Sequence, residues 1–307
     1  MGAVGAEDSL GKKRVCSSGS EAGRRVEIRV PLKWPPTLPL GKEMIRHMNE
    51  NVRMRFDHVS FAVRSIDRAA EFFSRYLPLK QRNPKTRDDQ VSGAFYWQDF
   101  WLGGFVVEFI EDLPGSSGFV GKFIEKHGEG IHHLSIEVDQ LRPVTEQLKD
   151  GGIRVVDEQE YSAGSATAFI SPRSAFGALI QFWQVPDFDA PHPRPEPDGL
   201  AHFDHVSLAV KEIEQARSFF TRYFTPTAPG REAHLSNSEG NFLIANMEVA
   251  GFKLEFIQSP PHQVANDFVA RFIARHGEGL HHISIDLTDF DSTLGRLRRD
   301  GVRVVEE

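Results

Sequence analysis

The alternation of apolar and polar positions predicts a strand at residues 58–63, which read HVSFAV. Successive side chains of a strand point to opposite faces, so Val59, Phe61 and Val63 form one large apolar face. That face should pack under a helix. His58 then faces the other way, beside small neighbours, and is expected to point into a cleft.

The following residues complete a half-module of β-α-β-β order, with room for one more strand. Helical spacing predicts a helix over Ile66–Tyr76, with Asp67 in the first turn, where the helix dipole favours an acid. Residues 95–98 and 105–110 are predicted as strands, and Gly103–Gly104 as the turn between them.

The same order then begins again. The pattern predicts a strand at 133–138, a helix around 141–149, and strands at 153–157, 166–171 and 177–184. With the further strand counted, each half-module has βαβββ order. Two of them should form one α+β domain with a curved, open sheet, helices outside and a cleft inside.

Internal repeats show that this domain is duplicated. Residues 56–76 and 203–223 share thirteen of 21 positions, and residues 122–138 and 271–287 share ten of 17. Three collinear matches, the last being GIRVV and GVRVV, indicate two tandem modules.

The repeats divide the chain into four segments. These are a disordered or loosely packed tail at 1–54, a first domain at 55–185, a linker at 186–201 and a second domain at 202–307. The linker contains five prolines and is expected to be a stiff, extended spacer. The first copy continues for about thirty residues beyond GIRVV, so the second domain is expected to be truncated.

Composition limits the function classes. The net charge of −7 argues against nucleic acid as the main partner, and no apolar run is long enough to span a bilayer. A single cysteine, Cys16, suits a reducing compartment. The cytoplasm is therefore expected, with the mitochondrial matrix as the alternative.

Four polar residues in apolar strands are candidate metal ligands. His58 and His133 occupy the same register in the two half-modules, and Glu108 and Gln181 are isolated among apolar neighbours. His132 should point away from His133 or lie at the entry of the strand. Such a set of nitrogen and oxygen ligands suits a divalent ion of Co, Mn, Zn, Ni or Fe(II), whose identity stays open.

The second copy repeats three of these residue types. His58 and Glu108 are 50 residues apart, as are His205 and Glu255, and His282 follows Glu255 by 27 residues. A second metal site is therefore predicted, although shared ancestry with a vestigial site would give the same pattern.

These motifs resemble the vicinal-oxygen-chelate superfamily, which includes glyoxalases, bleomycin-resistance proteins, dioxygenases and methylmalonyl-CoA epimerases. The segments KFIEKHGEGIHHLSIEV, VVEFIED and ISPRSAFGALIQFWQV are most similar to the epimerases. The resemblance implies metal ligands at His58, Glu108, His133 and Gln181.

An epimerase-like isomerase would abstract a proton α to the carbonyl of an acyl-CoA or a related carbonyl substrate. The resemblance implies catalytic roles for Glu108, Gln181 and Asp89, with Asp88 as the alternative to Asp89. The family usually carries a glutamate where this chain has Gln181. A glutamine can coordinate a metal but cannot accept a proton at neutral pH.

Two other functions stay open at this point. One is an Fe(II)-dependent dioxygenase of the 4-hydroxyphenylpyruvate dioxygenase type, which also has tandem modules and a two-histidine, one-carboxylate set. The other is a binding protein without turnover. The expected partner is a small molecule, with no nucleic acid or membrane, and a homodimer is possible because an incomplete sheet leaves an exposed edge.

Overall fold

The first strand of the fold begins just before the predicted domain start. Met54 is its first residue, and Val52 ahead of it is buried. The rest of the predicted tail lies outside the described residues. The computed structural model describes residues 52–89, 93–161, 164–190, 199–224, 226–228, 232–237, 240–260 and 267–305.

The first module consists of two half-modules joined by one helix. The first half contains β1 (Met54–Ala62), α1 (Ile66–Tyr76), β2 (Lys80–Gln81), β3 (Thr86–Asp88), β4 (Phe95–Leu102) and β5 (Phe105–Asp112). The joining helix is α2 (Phe119–His127). The second half contains β6 (Gly130–Val138), α3 (Leu141–Asp150), β7 (Val155–Glu160), β8 (Ala166–Ile170) and β9 (Ile180–Gln184).

The first module forms a nine-stranded sheet in the order β2-β4-β5-β1-β6-β9-β8-β7, with β3 paired to β4. Strand β1 is parallel to β5 and antiparallel to β6, so the two half-modules join at β1 and β6. The predicted pairing of βαβββ half-modules into one mixed sheet is confirmed.

The second module repeats this order. It contains β10 (Ala201–Ala209), α4 (Ile213–Tyr223), β11 (Pro226–Ala228), β12 (Glu232–Asn237), β13 (Gly240–Val249), β14 (Phe252–Gln258), α5 (Phe268–His276), β15 (Gly279–Leu287) and α6 (Phe290–Arg299). Its six-stranded sheet has the order β11-β13-β14-β10-β15, with β12 paired to β13. The predicted tandem duplication is confirmed.

The apolar face of β1 packs as the alternation predicts. Val59 is fully buried, and the ring of Phe61 lies 6.3 Å from that of Phe73 on α1 and 6.1 Å from that of Phe109 on β5. Helix α2, which was not predicted from the sequence, packs through Val120 against the opposite face of the sheet.

The two modules pack around a local pseudo-two-fold axis. The Phe56 N–H donates to the Ala250 carbonyl at 2.7 Å, and the Phe203 N–H donates to the Gly103 carbonyl at 2.9 Å. Phe56 and Phe203 also stack on each other, with ring centroids 5.7 Å apart. Equivalent residues of the two copies thus make reciprocal contacts, as in an isologous dimer interface.

The first part of the predicted linker is not an extended spacer. Phe188 lies under the guanidinium groups of Arg53 and Arg55, at 5.0 and 4.5 Å, and Asp189 forms an ion pair with Arg53. The segment before residue 191 therefore packs against β1, and residues 191–198 lie outside the described part.

Among the described residues, the helices are all too short or too polar to cross a lipid bilayer.

The contact between the modules leaves no room for a side chain at Gly177. A Cβ there would lie 1.6 Å from the carbonyl oxygen of Glu278 in the second module, and the φ angle of Gly177 is +76°. We expect Gly177→Ala to lower the free energy of unfolding by roughly 3 kcal/mol or more, because left-handed strain and steric overlap add.

Gly152→Ala is the matched control for this prediction. Gly152 has a φ angle of +74°, but a Cβ there meets nothing within 4 Å. We expect this substitution to lower the free energy of unfolding by only about 1 to 2 kcal/mol, the contribution of left-handed strain alone. Urea unfolding of both variants measures the difference, and equal losses would contradict a tight contact between the modules.

Candidate functional site

The concave face of the first sheet encloses a cavity of about 870 Å³. His58, Glu108, His133 and Gln181 all line it, so the structure brings together the four ligand positions expected in the first module. They come from β1, β5, β6 and β9, four strands that are adjacent in the sheet. Helix α2 and strand β7 also contribute residues to the lining.

A β-bulge orients the first histidine. Phe56 pairs with Ile136 and His58 with Ser135, so Asp57 is an extra residue of β1. In a bulge, neighbouring side chains no longer alternate strictly between the faces. Asp57 Oδ2 lies 2.8 Å from His58 Nδ1. With Nδ1–H donating to this carboxylate, the lone pair of Nε2 is available in the cleft.

A second bulge changes the position expected for His132. Ser60 pairs with His133 and Phe61 with Ile131, so His132 is an extra residue of β6. His132 lines the cleft, and its Nδ1 lies 2.9 Å from Nδ1 of His133. Of the two alternatives expected for His132, a position near the entry of the strand agrees with its place as the third residue of β6. An orientation away from the cleft is wrong, because simple alternation does not hold across a bulge.

The three candidate ligand atoms of the first module match the spacing around a divalent ion. His58 Nε2 and His133 Nε2 are 3.3 Å apart, and Glu108 Oε1 lies 3.6 Å from the first and 3.9 Å from the second. Bonds of about 2.0–2.2 Å would hold neighbouring ligand atoms roughly 3.0–3.5 Å apart. The donor set therefore fits such an ion, with the carboxylate slightly distant.

Burial and neighbouring charges act on the pKa values of these three groups, often in opposite directions. Burial lowers the pKa of His58, but the charges of Glu108 and Asp57 outweigh it and raise the pKa to about 9. Burial raises the pKa of Glu108 to about 7 against the opposing effect of His58. Burial and the neighbouring imidazoles keep the pKa of His133 well below its usual range, so that His133 is neutral.

The other predicted site residues occupy different positions. Gln181 lines the cleft, and its amide lies near enough to His133 to act against the lowering of the His133 pKa. Asp89 is exposed and forms an ion pair with Arg87 at 2.7 Å, so the structure does not bring it into the cleft. Asp88, the alternative to Asp89, does line the cleft.

The second module has an equivalent cluster. His205 Nε2 lies 3.3 Å from His282 Nε2 and 3.4 Å from Glu255 Oε1, and His282 Nε2 lies 3.8 Å from the same carboxylate oxygen. Asp204 Oδ2 lies 2.7 Å from His205 Nδ1, as Asp57 does with His58. Both clusters therefore have three possible ligands and a supporting carboxylate.

Sequence reasoning missed Asp57, Arg82 and Asp99. Asp57 had a visible signal, because the pair Asp-His recurs before the same strand positions in both copies. Asp99 is buried, and it is the direct partner of Glu108 between β4 and β5. Burial raises the pKa of Asp99, against the charges of His58 and Arg82. Asp99 and Arg82 could not be selected in this way, because neither belongs to a motif that recurs in the second copy.

Comparisons with known proteins agree with this fold. The sequence profile of the Glyoxalase/Bleomycin resistance protein/Dioxygenase superfamily matches residues 57–170 and 204–307, more than half of the chain. The uncharacterized protein YqjC of Bacillus subtilis is 30% identical over 153 residues, which cover 49% of this chain and 98% of YqjC. The ethylmalonyl-CoA/methylmalonyl-CoA epimerase of Cereibacter sphaeroides is 27% identical over 135 residues, covering 43% and 98%.

A solved structure spans both modules. A mutant of 4-hydroxymandelate synthase from Streptomyces coelicolor superposes with a TM-score of 0.57 at 13% identity, covering 81% of this chain and 75% of the synthase. At that identity, the likeness shows the fold alone.

Metal affinity of the first cluster should rise with pH. A proton held by His58 or Glu108 must leave before both bind an ion, so affinity for Zn²⁺ should increase by up to about tenfold per pH unit until the pH reaches the histidine pKa of about 9. Competition with a chelating dye in the His205→Ala variant measures this cluster separately.

The second cluster is the internal control for this pH dependence. Burial would raise the pKa of Glu255 and of Asp204, but His205 lowers the first, and Lys253 and His205 lower the second. Glu255 and Asp204 raise the pKa of His205 against burial, but Lys253 also pairs with Asp204, so we expect His205 to hold its proton less tightly than His58 does. In the His58→Ala variant, the rise of Zn²⁺ affinity with pH should therefore level off at a lower pH. The same plateau pH in the two variants would contradict the tighter proton of the first cluster.

Proposed function

The chain belongs to the glyoxalase/bleomycin resistance protein/dioxygenase superfamily, and we propose that its first module is a divalent-metal-dependent isomerase acting on an acyl-CoA. The observation that carries this proposal is the cluster of His58, Glu108 and His133, which lines a cleft of about 870 Å³ together with Gln181. The similarity to methylmalonyl-CoA epimerases, at 25–27% identity, supports the choice of substrate class.

His58, His133 and Glu108 would hold the ion, and Gln181 could add an amide oxygen. When bound, a divalent ion supplies Lewis-acid stabilisation of negative charge on the substrate carbonyl oxygen. The chain's own residues set up this site before substrate arrives. Asp57 fixes the His58 ring so that Nε2 faces the cleft, and burial keeps His133 neutral.

Asp99 is the proposed proton acceptor. With Glu108 committed to the metal, Asp99 is the carboxylate on the neighbouring strand, and it also lines the cleft. Burial raises its pKa, which makes it a stronger base than an exposed aspartate. Gln181 cannot take this role because an amide does not accept a proton at neutral pH.

This arrangement has consequences for stereochemistry. Inversion at carbon requires that a proton leave one face and return to the other, which a single base does slowly. We therefore expect the metal-loaded wild-type protein to exchange the α-proton of methylmalonyl-CoA with deuterium from D₂O faster than it interconverts the two epimers. Mass spectrometry and chiral analysis of the same sample measure both rates.

Gln181→Glu should supply the second base. We expect it to increase epimerisation by roughly 10²-fold, the lower end of typical general-base contributions. His205→Ala, which removes a ligand of the second cluster, should leave both rates unchanged. Absence of α-proton exchange by the metal-loaded wild-type protein would overturn the proposed function.

A dioxygenase is the second candidate, because two histidines and one carboxylate also form the ligand set of many non-haem Fe(II) oxygenases. The fold-level likeness to 4-hydroxymandelate synthase extends over both modules. Substrate-dependent oxygen consumption by the Fe(II)-loaded protein, without α-proton exchange, would favour this candidate over the isomerase.

A further inference from the structure

A row of polar side chains crosses the concave face of the first sheet at one level. The Arg82 N–H donates to the Asp99 carbonyl at 3.0 Å, which places Arg82 beside β4. Asp99 pairs with Glu108, Glu108 with Ser60, and Ser60 with His133. Because neighbouring strands lie about 4.8 Å apart, the backbone of Arg82 is about 10 Å from that of Glu108.

The guanidinium of Arg82 is restrained by neighbouring side chains, but few of its N–H donors take part in hydrogen bonds. It lies over the ring of Trp101 at 4.9 Å, and its Nη1 is 3.4 Å from Asp99 Oδ2. Within the part of the chain that the structure describes, Asp99 is its one hydrogen-bond partner. An arginine carries five N–H donors in a fixed plane, so most of them are available to a ligand in the cleft.

This geometry differs from that of an ion pair built for stability alone. Strong arginine–carboxylate pairs are short and bidentate, whereas Arg82 and Asp99 share a single contact of 3.4 Å. The cation–π contact with Trp101 restrains the guanidinium without using its donors. The residue equivalent to Asp99 in the second module is Asn246, which pairs with Glu255 as Asp99 pairs with Glu108. The carboxylate at this position is therefore specific to the first module.

We propose that Arg82 is a substrate-binding residue that pairs with a carboxylate at the far end of the acyl group. This role rests on the proposed function, because it places the reacting carbonyl at the metal ligands. The guanidinium of Arg82 reaches the carboxylate of Asp99, which lies one strand away from Glu108, so an acyl chain from Glu108 to Arg82 spans about one strand spacing, roughly 5 Å. That length corresponds to a dicarboxylic acyl group with several carbons between the thioester and the carboxylate.

Binding of two matched thioesters tests this role. Glutaryl-CoA and valeryl-CoA have acyl chains of the same length, and only the first ends in a carboxylate. Isothermal titration of the Co²⁺-loaded full chain should give a dissociation constant roughly ten- to hundredfold lower for glutaryl-CoA. Arg82→Gln should abolish this preference without weakening valeryl-CoA, and Arg82→Lys should keep part of it.

Two control variants separate recognition from other effects. Lys122→Gln removes another cation of the cleft lining, on α2, and should keep the preference. Asp99→Asn leaves the guanidinium without its competing carboxylate, and should keep or increase the preference for glutaryl-CoA. If Arg82→Gln alone fails to fold, the double variant with Asp99→Asn, neutral at both positions, replaces it.

The outcomes distinguish the role of Arg82 from the proposed function. Equal binding of the two thioesters by the wild-type protein, or equal weakening of both by Arg82→Gln, overturns the role. A preference that depends on Arg82, without α-proton exchange, overturns the isomerase and supports the role. If neither thioester binds, the acyl-CoA substrate is wrong, and the role then stands only if free glutarate binds more tightly than valerate through Arg82.

Discussion

The pairing of β1 on both of its edges is the constraint on which the rest of this structure depends. The strand pairs in parallel with β5 from His58 to Ala62 and antiparallel with β6 from Met54 to Ala62, and it carries one extra residue, Asp57. Side chains before the bulge face the other module, as Phe56 does. Those after it alternate between the core, as with Val59, and the cleft, as with His58. Packing between modules, core formation and the metal cluster thus share one short segment.

The bulge also explains why the cluster can be preorganised. Without the extra residue, Asp57 and His58 would project from opposite faces, and the carboxylate could not hold the imidazole. With it, the carboxylate orients the ring and raises the pKa of His58. Three buried groups that would bind a cation then lie within 4.8 Å of one another, at a cost in desolvation that a divalent ion would offset.

Much of the architecture could be predicted because its signals are local. The helix at Ile66–Tyr76 has apolar residues at helical spacing, and its N-cap Ser65 accepts a hydrogen bond from Arg68 N. Helix α2 was not predicted, although Phe119, Val120, Phe123 and Ile124 have helical spacing, and its capping group comes from the preceding strand. Gly118 and Gly121 donate their backbone N–H groups to Asp112 of β5, at 2.8 and 2.9 Å.

The candidate site shows the same division between local and non-local signals. The spacing of 50 residues from histidine to glutamate recurs in both copies, and the next spacing, from glutamate to histidine, is 25 in one and 27 in the other. The sequence alone was therefore enough to select His58, Glu108 and His133. The position of Arg82 depends on which strand pairs with β4, and no alternation pattern encodes that choice. Asp89 was selected by proximity in sequence, but its ion pair with Arg87 holds it at the surface.

The two clusters have the same ligands in different surroundings, and that difference governs their chemistry. The His133 side chain is 7% exposed, because β6 is covered by β1 and β9, whereas the His282 side chain is 39% exposed. Among the described residues, β15 is the edge of its sheet. Lys253 also takes part of the negative charge of Asp204, whereas the equivalent position on β5 of the first module is occupied by the apolar Val106. The more buried cluster is therefore the one in which the pKa values of a histidine and a carboxylate are shifted furthest from their usual range.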